Sequence, residues 1–446
     1  MQRQQMERST TPWVPRAITI VIVVVMMILM VLFGKKVYGQ SPTHLSIEDA
    51  YQRARLNYPL IKQNGLIDKT AAYTVANASK GYLPSLSFSG QATYQSTVTN
   101  FPLTIPIPGF SLPSYNKDQY KIYAEADQLI YDGGAIQNTK QMAQATQMIQ
   151  CQNLEAELYN LYDRVNQLFF GVLLINEQLR QNELLKKDIE NGIDKTTALV
   201  KNGTAYRSSV DELSAQLLQV EQARTELKST KGAFLLMLAQ FTGINIDENT
   251  IIEKPGKPAL VTGINRPELL ALDYQKLTYA LQAQSLKVQL RPKFGFFIQG
   301  GYGRPGLNFL NNNFAWYYLG GLKFSWNLGS LYTYKNQREL LSISIQGLDV
   351  QKETFLFNTT LELKQQSAAI SKYDELIEKD RDIISLRERV KGAAAAQLEN
   401  GVLTAHDYIT QVNADDQARQ SFILHRIQLL QAQFSYQNTS GITTDH

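Results

Sequence analysis

Leu158-Tyr159-Asn160-Leu161-Tyr162-Asp163-Arg164-Val165-Asn166-Gln167-Leu168-Phe169-Phe170-Gly171-Val172 places apolar side chains at 158, 161, 165, 168 and 172. The steps alternate between three and four, the seam of a coiled coil. No proline occurs from Gly134 to Asn202, and none from Lys335 to Asn400. Each stretch predicts one helix of about 65 residues, on the order of 100 Å long at 1.5 Å per residue. Helices seldom pass about 25 residues unless they are coiled coils, membrane spans or repeats. The faces between the seams carry Gln, Asn, Lys and Glu, too polar for lipid. The chain is therefore predicted to form long antiparallel helical hairpins that turn at Gly203 and Gly401.

The two hairpins belong to a duplication. Asn57-Tyr58-Pro59-Leu60 recurs as Asn265-Arg266-Pro267-Glu268, an offset of 208. Pro84 and Pro292, Phe88 and Phe296, and Tyr94 and Tyr302 keep that offset. Tyr131-Asp132-Gly133-Gly134 then resembles Trp326-Asn327-Leu328-Gly329 at 195, and Asn202-Gly203 resembles Asn400-Gly401 at 198. The break falls between residues 94 and 131, around the proline-rich stretch Phe101–Pro113, where a surface loop tolerates insertion. Each copy reads as helix, strand, loop, strand, very long helix, turn, helix. The first helix is predicted to start at the capping serine of Ser46-Ile47-Glu48-Asp49 and to run to about Gly81.

The strand segments alternate with period two. In the first copy Leu86, Phe88, Ala92 and Tyr94 oppose Ser85, Ser87, Ser89, Gln91 and Thr93 between Ser85 and Val98. From Gln119 to Tyr131, Tyr120, Ile122, Ala124, Ala126 and Ile130 oppose Lys121, Glu125 and Asp127. The second copy has Phe294, Phe296, Ile298 and Tyr302, then Trp316, Tyr318, Leu322, Phe324, Trp326 and Leu328 against Lys323, Ser325 and Asn327. Membrane β-strands show this pattern, and so does an ordinary half-buried sheet. The long helices favour the membrane reading. Four strands cannot close a barrel, and an open edge in lipid leaves backbone groups unpaired at several kcal/mol each. If the strands lie in a membrane, several chains must pool them. Trp316, Tyr317, Tyr318, Trp326 and Tyr131 would then form interfacial aromatic girdles, with Lys323, Glu125 and Asp127 facing a wet lumen. The loops Phe101–Pro113 and Arg304–Asn313 would be extracellular.

The chain has 446 residues with 44% hydrophobic and 19% charged content, an ordered composition. One cysteine, Cys151, excludes an internal disulfide, and four dispersed histidines show no metal-ligand spacing. Arg3, Arg8 and Arg16 precede an apolar run from Ala17 to Phe33, followed by Lys35, Lys36 and small residues. This reads as a signal peptide over residues 1–39; the rival is an uncleaved inner-membrane anchor. That segment carries +4 and the whole chain is +4, so the remainder is near neutral and does not argue for nucleic acid. The rest divides into a first repeat, 40–243, a linker or equatorial segment, 244–264, and a second repeat, 265–446.

With that order in place the chain resembles the TolC-like outer membrane efflux protein family over essentially its whole length after residue 39. Leu45-Ser46-Ile47-Glu48-Asp49-Ala50 with Asn57-Tyr58-Pro59, Tyr82-Leu83-Pro84-Ser85-Leu86 and Leu129-Ile130-Tyr131-Asp132-Gly133-Gly134 carry the resemblance in the first copy. Asn265-Arg266-Pro267-Glu268-Leu269, Phe324-Ser325-Trp326-Asn327-Leu328-Gly329, and Gly401 with Asp407-Tyr408-Ile409 carry it in the second. The resemblance implies an α+β membrane protein. Three chains would pool four strands each into a 12-stranded β-barrel in outer-membrane lipid, above a periplasmic α-barrel of coiled helices with a mixed belt partway along. It also implies an outer-membrane channel of a tripartite efflux or type I secretion system. A periplasmic adaptor (membrane fusion) protein and an inner-membrane pump would be its partners, with drugs, metal ions or secreted proteins as cargo, and no cofactor and no metal.

The resemblance puts the periplasmic tips at Gly203 and Gly401, with Asp211 and Asp407 where relatives carry gate-lining acids. A ring of aspartates in a narrow pore selects cations. This sequence departs from the family pattern in several places. Thr410 stands where a second aspartate is found, Leu398 and Leu403 stand where a tyrosine and an arginine lock the closed gate, and two residues look inserted between Gly203 and Asp211. Closure is therefore expected to be apolar rather than ionic. The plainer reading of Asp211 is a helix N-terminal acid, and that of His406 is an exposed histidine.

An inner-membrane-anchored coiled-coil adaptor is the alternative, but a single hairpin between β-halves does not fit the duplication. An enzyme is disfavoured: no nucleophile elbow, phosphate loop or histidine cluster is present, and Gly300-Gly301-Tyr302-Gly303 has no helix directly after it.

Overall fold

The computed structural model describes residues 44–98, 116–260, 263–308 and 311–441. The apolar run Ala17–Phe33 and the loop Phe101–Pro113 lie outside the described residues. The elements are β1 (His44–Leu45), α1 (Ile47–Asn57), α2 (Lys62–Ser79), β2 (Ser85–Tyr94), β3 (Asp118–Tyr131), α3 (Ala135–Lys201) and α4 (Arg207–Thr242). They continue as β4 (Ile251–Ile252), α5 (Pro267–Gln289), β5 (Lys293–Arg304), β6 (Ala315–Ser325), α6 (Leu331–Glu399) and α7 (Ala405–Ser440).

The long helices are continuous, 67 residues in α3 and 69 in α6. Each folds back on a 36-residue partner, α4 or α7. The turns use Gly203 and Gly401 at φ 74° and 70°, the left-handed region that glycine enters without strain. The offset of 198 persists to the helix ends: Arg207 and Ala405 both open a helix, and Gly243 and Gly441 both cap one. The two tip loops therefore have equal length, and the apparent insertion before Asp211 is absent. Asp211 simply lies two positions further along its helix than Asp407 does along its own.

The first helix differs from expectation. Ser46 caps it, its Oγ accepting the Asp49 amide at 3.1 Å. It stops at Asn57, however, because Tyr58 precedes a proline and takes an extended ψ of 126°. A short 3-10 turn, Pro59–Ile61, leads into α2. In the second copy α5 matches only the part from Pro59 onward, with Pro267 at its first position, and no helix precedes it as α1 precedes Pro59 among the described residues. Each Asn-x-Pro motif anchors its repeat. The Asn57 side chain donates to the Gln240 carbonyl (3.0 Å) near the end of α4, and the Asn265 amide donates to the Ser440 carbonyl (2.7 Å) at the end of α7.

The main core sits at mid-height of α3. Leu161, Val165, Phe169, Phe170 and Val172 are buried there against Ile47 of α1, Leu238 of α4 and Phe434 of α7. Each such side chain is worth about 1.5–3 kcal/mol in transfer from water. Parallel pairing of β1 with β4 closes this belt, joining the segment 244–264 to the start of the described chain.

Strands β2, β3, β5 and β6 form one antiparallel sheet in the order β2-β3-β5-β6. The loop between β2 and β3 spans residues 95–117 and that between β5 and β6 spans 305–314, so the shift from 208 to 195 falls where the repeat pattern placed it. Asp132 caps α3, its carboxylate accepting the Gly134 amide at 2.7 Å and the Ile136 amide at 2.5 Å. Asn327 repeats the first of these contacts with Gly329 at 3.0 Å. No helix among the described residues is long and apolar enough to cross a membrane.

Candidate functional site

The register gives the sheet two unlike faces. Leu86, Ala126 and Ile298 lie side by side on one, as do Gly300 and Tyr318, Tyr302 and Trp316, and Phe296 and Leu322. These residues face outward: Phe88 is 84% exposed, and Trp316, Tyr318 and Leu322 are 82% exposed. The other face carries Ser85, Ser87, Gln91, Lys121, Glu125, Asp127, Gln299 and Lys323. Gln299 Nε2 donates to Glu125 (3.1 Å), and Lys323 Nζ lies 3.5 Å from Asp127 Oδ1.

The aromatic assignments sort accordingly. Trp316 and Tyr318 lie on the apolar face. Tyr317 does not: it opposes Gly301 and Tyr123 on the polar face, one residue out of phase with its neighbours. Tyr131 joins the apolar face through a bulge after Leu129 that sets it opposite Phe294, the rings 6.2 Å apart. Trp326 lies just past β6, where its indole N–H donates to the Leu290 carbonyl at 2.9 Å. Beyond β6 the strand alternation does not continue to Leu328.

At the opposite end, Asp407 forms a capping box with Thr404. Thr404 Oγ1 accepts the Asp407 amide at 3.1 Å and donates to Asp407 Oδ2 at 2.6 Å. Asp407 is thus the helix N-terminal acid, whereas Asp211 lies beyond the first turn of α4. Both are exposed, and no hydrogen bond or ion pair among the described residues joins them. Thr410 is exposed, its hydroxyl donating to the His406 carbonyl at 3.0 Å. His406 Nδ1 pairs with Glu212 at 2.8 Å, and this hydrogen bond and charge hold the imidazole above its usual pKa.

Just above the tips Leu185, Ile189, Leu213, Leu398, Tyr408 and Val412 bring all four long helices into one apolar cluster, with Leu403 packed against it. Gly192 permits that approach: a Cβ there would fall 2.6 Å from the Tyr408 ring. Burial pushes the Tyr408 hydroxyl up to about 12, and it donates to the Asp188 carbonyl at 2.9 Å. Next to it runs an ionic strap that the sequence did not disclose. Lys391 of α6 meets Asp188 of α3 and Asp415 of α7, each at 2.8 Å, and Arg419 meets Asp415 at 3.0 Å and Glu388 at 3.3 Å. Burial lowers the Lys391 pKa, but its hydrogen bonds to both aspartates outweigh that and leave it above the usual lysine value. The one sequence signal was the i,i+4 spacing of Asp415 and Arg419. Lys391 and Asp188 come from distant segments with no shared pattern. Among the described residues no group of His, Cys, Asp or Glu gathers as metal ligands.

The described chain is thus a four-stranded sheet, apolar on one face and polar on the other, mounted on two coiled hairpins. The sequence model of the outer membrane efflux protein family matches residues 50–243, from α1 to the glycine that caps α4. Solved structures extend the likeness to both repeats. The outer membrane protein VceC of Vibrio cholerae is 14% identical, with 89% of this chain and 96% of that one covered at a TM-score of 0.64. CusC is 12% identical, with 91% and 95% covered at 0.65, and the MtrE outer membrane channel of Neisseria gonorrhoeae is 12% identical, with 89% and 88% covered at 0.60. At such identities the shared property is the fold. No curated protein sequence matches the chain as a relative.

Proposed function

We propose that the chain is one subunit of a homotrimeric conduit that carries cargo from an inner-membrane pump, through a periplasmic adaptor, to the outside. The observation that carries this reading is the sheet with unlike faces and two open edges. β2 and β6, 10 and 11 residues long, have no neighbour beyond them among the described residues. Their unpaired backbone groups would cost on the order of tens of kcal/mol in lipid if left alone. The strands alternate in direction, so β6 of one copy meets β2 of the next antiparallel and the barrel closes without a break in pattern. The number three rests on the family. The polar sheet face then lines the lumen, and the helical hairpins continue it through the periplasm.

In this reading Asp407 and Asp211, on the hairpin tips beside Gly401, Gly203 and Thr410, line the periplasmic entrance, and the apolar cluster around Leu398 holds each subunit's two hairpins together there. Trp316 and Tyr318 contact outer-membrane lipid. The channel is passive and performs no chemistry. Planar-bilayer conductance of the purified protein is the test. Defined single-channel steps are expected, and Asp407→Ala should reduce cation selectivity or closure. Absence of pores, or a monomer in mild detergent, defeats the channel reading. An unchanged Asp407→Ala variant defeats only the gate assignment. Recovery in the inner membrane would favour an adaptor instead.

A further inference from the structure

We infer that the periplasmic mouth of the barrel is a cationic ring that favours cargo bearing an anionic group such as a carboxylate or phosphate. The inference rests on the channel reading above. Lys80 in the 3-10 turn before β2, Lys293 at the start of β5 and Lys323 near the end of β6 line one cavity of about 530 Å³ where the sheet meets the helices. The register puts Lys293 opposite Ser325, and Asp127 opposite Ser85 and Phe297, all on the polar face. Asp127 is the one carboxylate in the lining, and it is already engaged with Lys323. Among the described residues neither Lys80 nor Lys293 has an ion-pair partner. Each subunit therefore brings three cations against one anion, and a closed ring multiplies that excess.

The placement excludes a simpler role as lipid headgroup anchors. Lys293 and Lys323 project from the face opposite Trp316, Leu322 and Phe324, away from the acyl chains. A ring of like charges in a pore with low-dielectric walls focuses its field on the axis and concentrates counter-ions there. The sign is opposite to that of the exposed aspartates at the hairpin tips, so the two ends of the tunnel discriminate differently.

The test is the reversal potential of single channels under a KCl gradient, with chloride as the probe anion. Lys80→Gln with Lys293→Gln leaves the Lys323–Asp127 pair intact. The variant should keep its conductance steps while the chloride-to-potassium permeability ratio falls by about twofold or more. Asp127→Asn should raise that ratio. As a second measurement, Lys293→Cys in a Cys151→Ala background should regain the original reversal potential on modification with a cationic methanethiosulfonate, and move further away with an anionic one. Reversal potentials that stay fixed in the variants, or the same response to both reagents, overturn the cationic ring. A wild-type protein without conductance overturns the channel reading itself.

Discussion

The two long hairpins are copies of one unit, yet they are packed in opposite ways. Helix α3 buries 20 of its 67 residues within the chain, whereas α6 buries 7 of 69. On α6, Leu340, Ile343, Val350, Phe357 and Leu361 stand 50–62% exposed at steps of three, four and seven, a coiled-coil seam left largely uncovered by the described residues. An exposed apolar row of that length marks a contact surface. In the proposed ring this difference would be a division of labour after duplication: the first hairpin holds the subunit together, and the second offers itself to neighbouring copies.

The largest test of that contrast compares two phenylalanines. Phe169, fully buried in α3, should cost about 3–5 kcal/mol on Phe169→Ala and leave little folded protein in the envelope. Phe357→Asp should leave helical circular dichroism intact while the protein migrates as a monomer on native gels. A trimeric Phe357→Asp protein would break the division of labour. The ionic strap comes next, because it crosses between the hairpins. Lys391→Met leaves the buried Asp415 carboxylate with Arg419 alone and should cost about 1.5–3 kcal/mol in thermal unfolding. Lys352→Met, which removes an exposed pair with Asp273, should cost less than about 1 kcal/mol.

The helix starts give a smaller effect. Thr404 caps α7 through its side chain, while Tyr206 at the equivalent position of α4 offers no such bond. Thr404→Ala should destabilise by about 1 kcal/mol and Tyr206→Ser should stabilise by a similar amount or less, both read by melting temperature. The smallest effect is at His406. Its raised pKa means that its pairing with Glu212 contributes fully below the ordinary histidine value, and the contribution fades as pH rises through the raised value. Glu212→Gln should lower the His406 titration midpoint in an NMR titration of imidazole shifts.

Much of this architecture was legible in the sequence because it depends on periodicity. The three-four seam around Val165, the absence of proline across α3 and α6, and the alternation of β2 and β3 are local patterns. They carried the element order, the turns at Gly203 and Gly401 and the sheet faces. What escaped was set by contacts or by small shifts of phase. Tyr58 broke a helix that periodicity alone would continue. A single-residue offset put Tyr317 on the polar face, and the bulge after Leu129 that brings Tyr131 to the apolar face leaves no mark in the alternation. The strap through Lys391 depends on helices separated by some 200 positions, a pairing that no local pattern announces. The tip assignments of Asp211 and Asp407 came from resemblance, and the equal tip loops set those two acids out of register.

The two edges of the sheet, unpaired among the described residues, are different strands, so in the proposed ring neighbouring copies join head to tail rather than face to face. Such a joint has polarity. A subunit with a damaged β6 still presents an intact β2, so it can be recruited but cannot recruit. It would act as a terminator of ring closure, and a cell making both forms would lose more channels than its share of defective chains. The defect would be dominant in genetic terms, and it would come from the edge of a strand rather than from any residue lining the path of the cargo.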